Sequence, residues 1–186
     1  ITKYQKFDYC IARNVIAHTK NPNDIFKGIS NILNPKGICV LEVPHLLNII
    51  KQNQYDNIFH EHIGFHSLKS IIDLCYRNKL KVLDVEKIDS QGGSIRCYIS
   101  KLEYKKKISI KVSKLLNTER KKGIFESYTT KKFIKKIKLH ITKMKKILRD
   151  IKLKNKKISV YGASGKGSAL MQFCKIDNKL VDNVFD

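Results

Sequence analysis

Apolar runs of strand length alternate with stretches of helical periodicity through residues 6–100, and that alternation limits the fold more than any other feature. "KFDYCIARNV" (6–15) and "ICVLEVP" (38–44) have the apolar density of buried strands, the second closed by Pro44. Between them, "NPNDIFKGISNILNPKG" carries Ile25, Ile29, Ile32 and Leu33 at helical spacing, with Asp24 near the start and Pro35 and Gly37 at the stop. A second beat follows, with a helix expected over "SLKSIIDLCYRNK" (67–79) and a strand over "KVLDVEKI" (81–88). "DSQGG" then separates that strand from "SIRCYIS" (94–100), expected to be its hairpin partner. Periodicity alone gives an α/β sheet with an antiparallel edge.

The pattern changes over 106–153, where Ile134, Ile137, Ile141, Met144, Leu148 and Ile151 alternate spacings of three and four between lysines. That stripe predicts a long amphipathic helix packed on a domain. "KKISVYGASGKGSALMQF" (156–173) then reads as strand, glycine-rich turn and helix, the start of a second nucleotide-fold unit. The chain opens on Ile1 and stops on the strand-like "KLVDNVFD", so a piece of a longer protein is expected.

The net charge of +22 invites a nucleic-acid reading. Its composition speaks against one: 38 basic residues include only five Arg, the side chain suited to base readout and phosphate forks. No apolar run reaches the roughly 18 residues of a membrane span, and no signal peptide opens the chain. Five widely spaced cysteines without a CxxC pair are expected as reduced core thiols of a cytoplasmic protein. Neither nucleic acid nor membrane is therefore expected as a partner, and the oligomeric state is not readable.

"NIFHEHIGFHS" (57–67) concentrates three of the six histidines beside Glu61. Three readings stand: a polar loop, a zinc site, or an acid–base site. Alternating residues of a strand share a face, so His60 and His62 would converge on a metal. No third and fourth ligand at sensible spacing accompanies them, and Glu61 would point away.

Four segments, in order, resemble the sugar-nucleotide C-methyltransferases. These are "FDYCIARNVIAH", "QYDNIFHEHIGFHSL", "DSQGGSIRCYI" and "SVYGASGKGSALMQF", which look like the family's fourth strand, active-site segment, hairpin and C-terminal-domain loop. "SKLLNTERKKGIFESYTTKKFIKKI" is similar to the family's linker, with its acidic–basic pair at Glu119 and Arg120. The resemblance spans nearly the whole chain. It implies the C-terminal half of a Rossmann-like class I methyltransferase domain with an antiparallel last strand (1–103), a helical connector (104–155), and the start of a second Rossmann-like domain (156–186). The family's zinc-binding cysteines and glycine-rich first cofactor motif are not in these residues, so zinc is expected only in that missing part.

The implied activity is methyl transfer from S-adenosylmethionine to a carbon of a nucleotide-linked keto-deoxysugar. Such chemistry needs a base near neutral pKa for the α-proton and donors for the enolate oxygen. Histidine meets the first need without large perturbation. The resemblance gives the base role to His62, with Glu61 orienting the site and His18 contacting substrate or enolate. Where the family carries tyrosine before HEH, this chain has Phe59, so the missing hydroxyl is expected to shift the substrate, to weaken the reaction, or to leave its role to Tyr55 or His66. Ala12, Arg13 and Asn14, after the fourth strand, are placed on the cofactor side, or form a structural turn. Gly92, Gly93, Ser94 and Arg96 are placed at the nucleotide sugar; the glycines equally suit a tight turn, and Arg96 a surface strand. Tyr161, Gly162 and Lys166, with Gly165 and Gly167, are placed at the substrate diphosphate, or at a close-packed strand–helix turn. An acceptor other than a sugar, or a catalytically impaired binding module, are the other readings.

Overall fold

The computed structural model describes residues 5–162 and 164–186, which fall into two compact units. The first comprises the described residues up to Lys51 together with Glu61–Phe125, and the second comprises Gln52–His60 and Glu126–Asp186.

The first unit is built on a four-stranded sheet. Strand β1 (Phe7–Arg13) leads through a 3₁₀ turn (Ile16–His18) into helix α1 (Pro22–Ile32), and β2 (Leu33–Pro44) into the short helix α2 (Leu46–Lys51). Helix α3 (Leu68–Arg77), strands β3 (Leu80–Ile88) and β4 (Ser94–Lys101), and helix α4 (Ile110–Lys121) follow. The strand order is β1-β2-β4-β3; β1 and β2 are parallel, and β4 runs antiparallel to both β2 and β3. The hairpin strand therefore inserts between β2 and β3 instead of adding an outer edge. Its Ile95, Cys97 and Ile99 are fully buried with Leu41, Val43 and Val82 in one core, onto which Phe26, Ile71, Cys75 and Leu115 of the helices pack. Burial drives the Cys97 thiol up to about 12, so it behaves as a small apolar side chain there.

Three expectations need correction. Among the described residues strand β1 is the outer strand of the sheet, and Tyr9 and Ile11 are 77% and 76% exposed, so within these residues it is buried on one face only. Pro35 and Gly37 do not stop α1, which ends at Ile32; they lie inside β2. There the β1–β2 register slips, Phe7 pairing with Leu33 but Tyr9 with Ile38. Such an irregularity tolerates a proline without a ladder donor. Gly37 sits so close to the Leu33 side chain and the Phe7 carbonyl that an added Cβ would be 2.9 Å from each. Lastly, the long helix covers only part of 106–153: the stripe from Ile134 to Ile151 lies on α5 (Ser127–Leu153) in the second unit, while the earlier residues form α4 in the first. The break follows α4 at Gly123, whose φ of 58° suits glycine after a helix end.

The second unit contains α5, strand β5 (Ser159–Tyr161), helix α6 (Gly165–Cys174) and strand β6 (Asn183–Phe185), with α6 packed on both α5 and a 3₁₀ turn at Tyr55–Asn57. Strands β5 and β6 are parallel. No helix among the described residues is long and apolar enough to cross a membrane.

Candidate functional site

The HEH segment and the turn after β1 meet in the first unit. Ile63 and Gly64, just past His62, both donate their backbone N–H to the Ala17 carbonyl, at 2.8 and 3.0 Å. Ala17 is buried in the 3₁₀ turn that ends at His18. This brings the His18 and His62 rings edge to face, with centroids 4.9 Å apart. His62 is half-buried, while His18 and Glu61 are exposed. Two imidazoles on a partly open surface, one held by backbone on both sides, can exchange a proton with a bound molecule. His66, four residues on, turns inward: it is 6% exposed, and burial lowers its pKa from the usual histidine value.

A row of charges crosses the sheet beside this turn. Arg13, Glu42, Arg96 and Glu86 occupy matching register positions on β1, β2, β4 and β3. Glu42 is 6% exposed, and its two oxygens accept from Arg13 Nε at 3.0 Å and from Arg96 Nε and a terminal nitrogen at 2.7 Å each. Arg96 also lies 3.8 Å from Glu86, which accepts from the Tyr98 hydroxyl at 3.1 Å. A buried carboxylate is tolerated only with such partners; in turn the bond to Glu42, and after it the Tyr98 hydroxyl, holds the Arg96 guanidinium above its ordinary pKa. Both arginines assigned to ligands are thus joined to one carboxylate. Ala12 is buried, and Asn14 turns left-handed (φ 55°) while its N–H donates to the Glu42 carbonyl at 3.0 Å.

Gly92 and Gly93, with φ of 79° and 106°, close the β3–β4 turn, and Gly93 donates to the Ser90 carbonyl. Ser94 is 1% exposed and its hydroxyl also donates to Ser90, so it locks this turn from inside. A Cβ on Gly93 would run into the Asn48 side chain.

The remaining candidates belong to the second unit. Tyr55 is 3% exposed, with its hydroxyl 2.8 Å from His140 Nδ1 and 3.6 Å from Cys174 Sγ; burial and the neighbouring sulfur raise its pKa. Phe59 packs against the start of α6, where a Cβ on Gly165 would stand 2.8 Å from its ring. Gly165 therefore serves close packing. Ser164 caps α6 by accepting from the Gly167 N–H at 3.2 Å. Gly162 has a φ of 99°, Tyr161 is 89% exposed and Lys166 is half-buried. Ala163 of this turn lies outside the described residues. A largely apolar cavity of about 360 Å³ opens here, lined by Met144, Leu148, Val160, Gly162 and Leu170 among others.

Sequence reasoning passed over Glu42 and His45. The available signal was a carboxylate inside the apolar "ICVLEVP" and a histidine directly after it: buried polar groups demand partners. Among the described residues, no group of three or more His, Cys, Asp or Glu is arranged to hold a metal ion.

Comparison with known proteins bears on the whole chain. Residues 89–186 match the family model of the C-methyltransferase C-terminal domain, and residues 2–85 match a methyltransferase domain model. The chain is 32% identical over 167 residues to the C-methyltransferase NovU of Streptomyces niveus, covering 90% of this chain and 40% of that protein. Among solved structures, the LepI complex with SAM aligns with a TM-score of 0.43 at 10% identity, covering 52% of this chain and 27% of that one. The magnesium protoporphyrin IX methyltransferase of Synechocystis PCC 6803 with bound SAH aligns at 0.41 and 12%, covering 53% and 46%. TM-scores this low carry no functional inference.

Proposed function

Because this chain belongs to the family defined by the C-methyltransferase C-terminal domain, we propose that it contributes the proton-abstracting half of an S-adenosylmethionine-dependent C-methyltransferase acting on a nucleotide-linked keto-deoxysugar. The chain spans 40% of the curated relative it matches, and the glycine-rich cofactor motif is not in its sequence.

The observation that carries this reading is the His18–His62 pair, held by two N–H bonds to the Ala17 carbonyl. His62 takes the proton from the carbon beside the ketone, and the C–H electron pair becomes the enolate. His18 lies close enough to share that proton or to donate to the enolate oxygen, and Glu61 orients or polarises the site. S-adenosylmethionine, when bound, supplies the electrophilic methyl group of a sulfonium. Asn14 and Arg13, at the carboxyl end of the parallel strand β1, suit the polar groups of that cofactor, and the buried Ala12 leaves the strand end unobstructed. Arg96, Gly92 and Gly93 serve the sugar nucleotide in the same unit. Tyr161, Gly162 and Lys166 form the second unit's polar turn, suited to an anionic substrate group. The setting is cytoplasmic, in keeping with five free cysteines.

One observation favours a second reading, a related methyltransferase with another acceptor. Residue 59 offers no hydroxyl, and the Tyr55 hydroxyl is engaged with His140 and Cys174. An acceptor whose enolate needs no phenol donor fits that arrangement.

The test is exchange of solvent deuterium into a keto-sugar nucleotide, using the longest natural polypeptide that contains residues 1–186. Exchange is expected with the unaltered protein and a loss of roughly 100-fold or more with His62→Asn. Equal exchange in the two proteins would exclude His62 as the base.

A further inference from the structure

Glu119, half of the acidic–basic pair in the linker segment, is fully buried although it lies on a helix whose neighbours are mostly lysines and polar residues. Its carboxylate accepts three hydrogen bonds: from His45 Nε2 at 2.7 Å, from the Leu68 N–H at 2.6 Å and from the Lys69 N–H at 3.1 Å. The last two are the first N–H groups of α3, which have no partner within the helix, and the positive end of the helix favours the charge. Ser67 caps the same helix by accepting from the Ser70 N–H.

His45 stands at the opposite end of a long excursion. The chain leaves the sheet there, directly after β2, and returns at His66; Leu46 N–H donates to the His66 carbonyl at 2.9 Å, and the two histidines pair in a single bridge. His45 is fully buried, and among the described residues its other ring nitrogen has no hydrogen-bond partner, so Glu119 is what orients the ring. One carboxylate from α4 therefore holds both ends of the segment that carries HEH. From that neck the path to the site is short. The His66 ring lies against Gly64, where a Cβ would be 2.9 Å from Nε2, and Gly64 is bonded to Ala17 beside His18.

The geometry points to Glu119, acting through His45 and the start of α3, as a positioning residue that sets the placement of His62 against His18. Its kinetic consequence rests on the function proposed above; its structural consequence does not. The test substitutes Glu119→Gln, which keeps the shape and an acceptor for α3 but removes the charge, and reads two signals. In the 186-residue chain labelled at the histidine rings, the ring signals of His18 and His62 should shift together with those of His45, while that of His140 in the second unit stays. In the exchange assay, turnover should fall at least roughly tenfold, with the half-saturating sugar concentration moving less than about threefold.

A merely structural role would lower thermal stability and shift His45 while leaving His18 and His62 unmoved, and that result overturns the proposal. So does unchanged turnover in a protein whose exchange depends on His62. If the unaltered protein shows no exchange, the functional reading fails, and the ring signals alone decide the role of Glu119. If Glu119→Gln does not fold, His45→Gln cuts the same link from the other side, with the same two outcomes.

Discussion

At Gly64 the backbone lies against the ring of His66, a buried histidine beneath the HEH turn. Burial disfavours the charged imidazole, so its pKa is lowered from 6.5 in the folded chain. The unfolded chain then binds more protons than the folded one once the pH drops below about 6.5. Stability carried by neutral His66 is complete above that value and declines as the pH falls through the lowered folded value. Asp84 and Asp182 are shifted below 3.8, so their stabilisation is lost only in more acidic solution. Urea unfolding followed at pH 7.5 and pH 5.5 should show a lower midpoint at the acidic value, and His66→Gln should reduce that difference. An equal difference in the two proteins would remove His66 from this account. At this scale the motifs named His18 and His62, 44 residues apart, and the structure sets their ring centroids 4.9 Å from one another. The sequence was not legible at Tyr55, because nothing in "NQYDN" announces that His140 and Cys174, far along the chain, take its hydroxyl.

Helix α3 shows how much of an element is written locally. Ser67 and Ser70 exchange side-chain-to-backbone bonds in a capping box, and Ile71, Leu74 and Cys75 supply the buried stripe. Ser67→Ala should cost about 1 kcal/mol of stability by loss of the N-cap, measured as a shift of the urea midpoint at unchanged slope. Helix α2 was missed because six residues, "LLNIIK", hold less than two turns of pattern. Strand β2 was read too short because Pro35 and Gly37 carry the local signature of a stop. The slipped pairing of β2 with β1 overrides it: the irregularity accepts a residue without an N–H, and Gly37 fits against the Phe7 carbonyl. Helix α4 carries a weak apolar stripe, yet its Val112 and Leu115 are buried and Glu119 holds α3. Only the partner surface makes that stripe meaningful.

Across the whole molecule, 38 basic against 16 acidic side chains leave a net charge of +22. Pairs such as Lys152–Asp182 and Arg96–Glu42 use some of the acidic groups locally, and the excess repels itself. Added salt should therefore stabilise this chain, screening more repulsion than attraction. The first thermal midpoint is expected to rise by about 2–4 °C, equivalent to roughly 1 kcal/mol, between about 20 mM and 0.5 M NaCl. A fall over that range would mean the ion pairs outweigh the excess charge. The excess itself was countable from composition, but which charges are neutralised was not, since Arg13, Glu42, Arg96 and Glu86 become neighbours only through strand register.

The sequence by itself determined the alternation of strands and helices, the caps and turns that bound most of them, and the motif that singles out His62. These depend on interactions within a few residues, where periodicity and backbone preference act directly. Only the tertiary structure decided that β4 inserts between β2 and β3, that 52–60 belongs with α5 and α6, and that Glu119 meets His45. Such pairings join residues far apart in the chain. Burial makes them obligatory, because a buried carboxylate or imidazole needs a partner, but no local pattern says which distant residue will supply it.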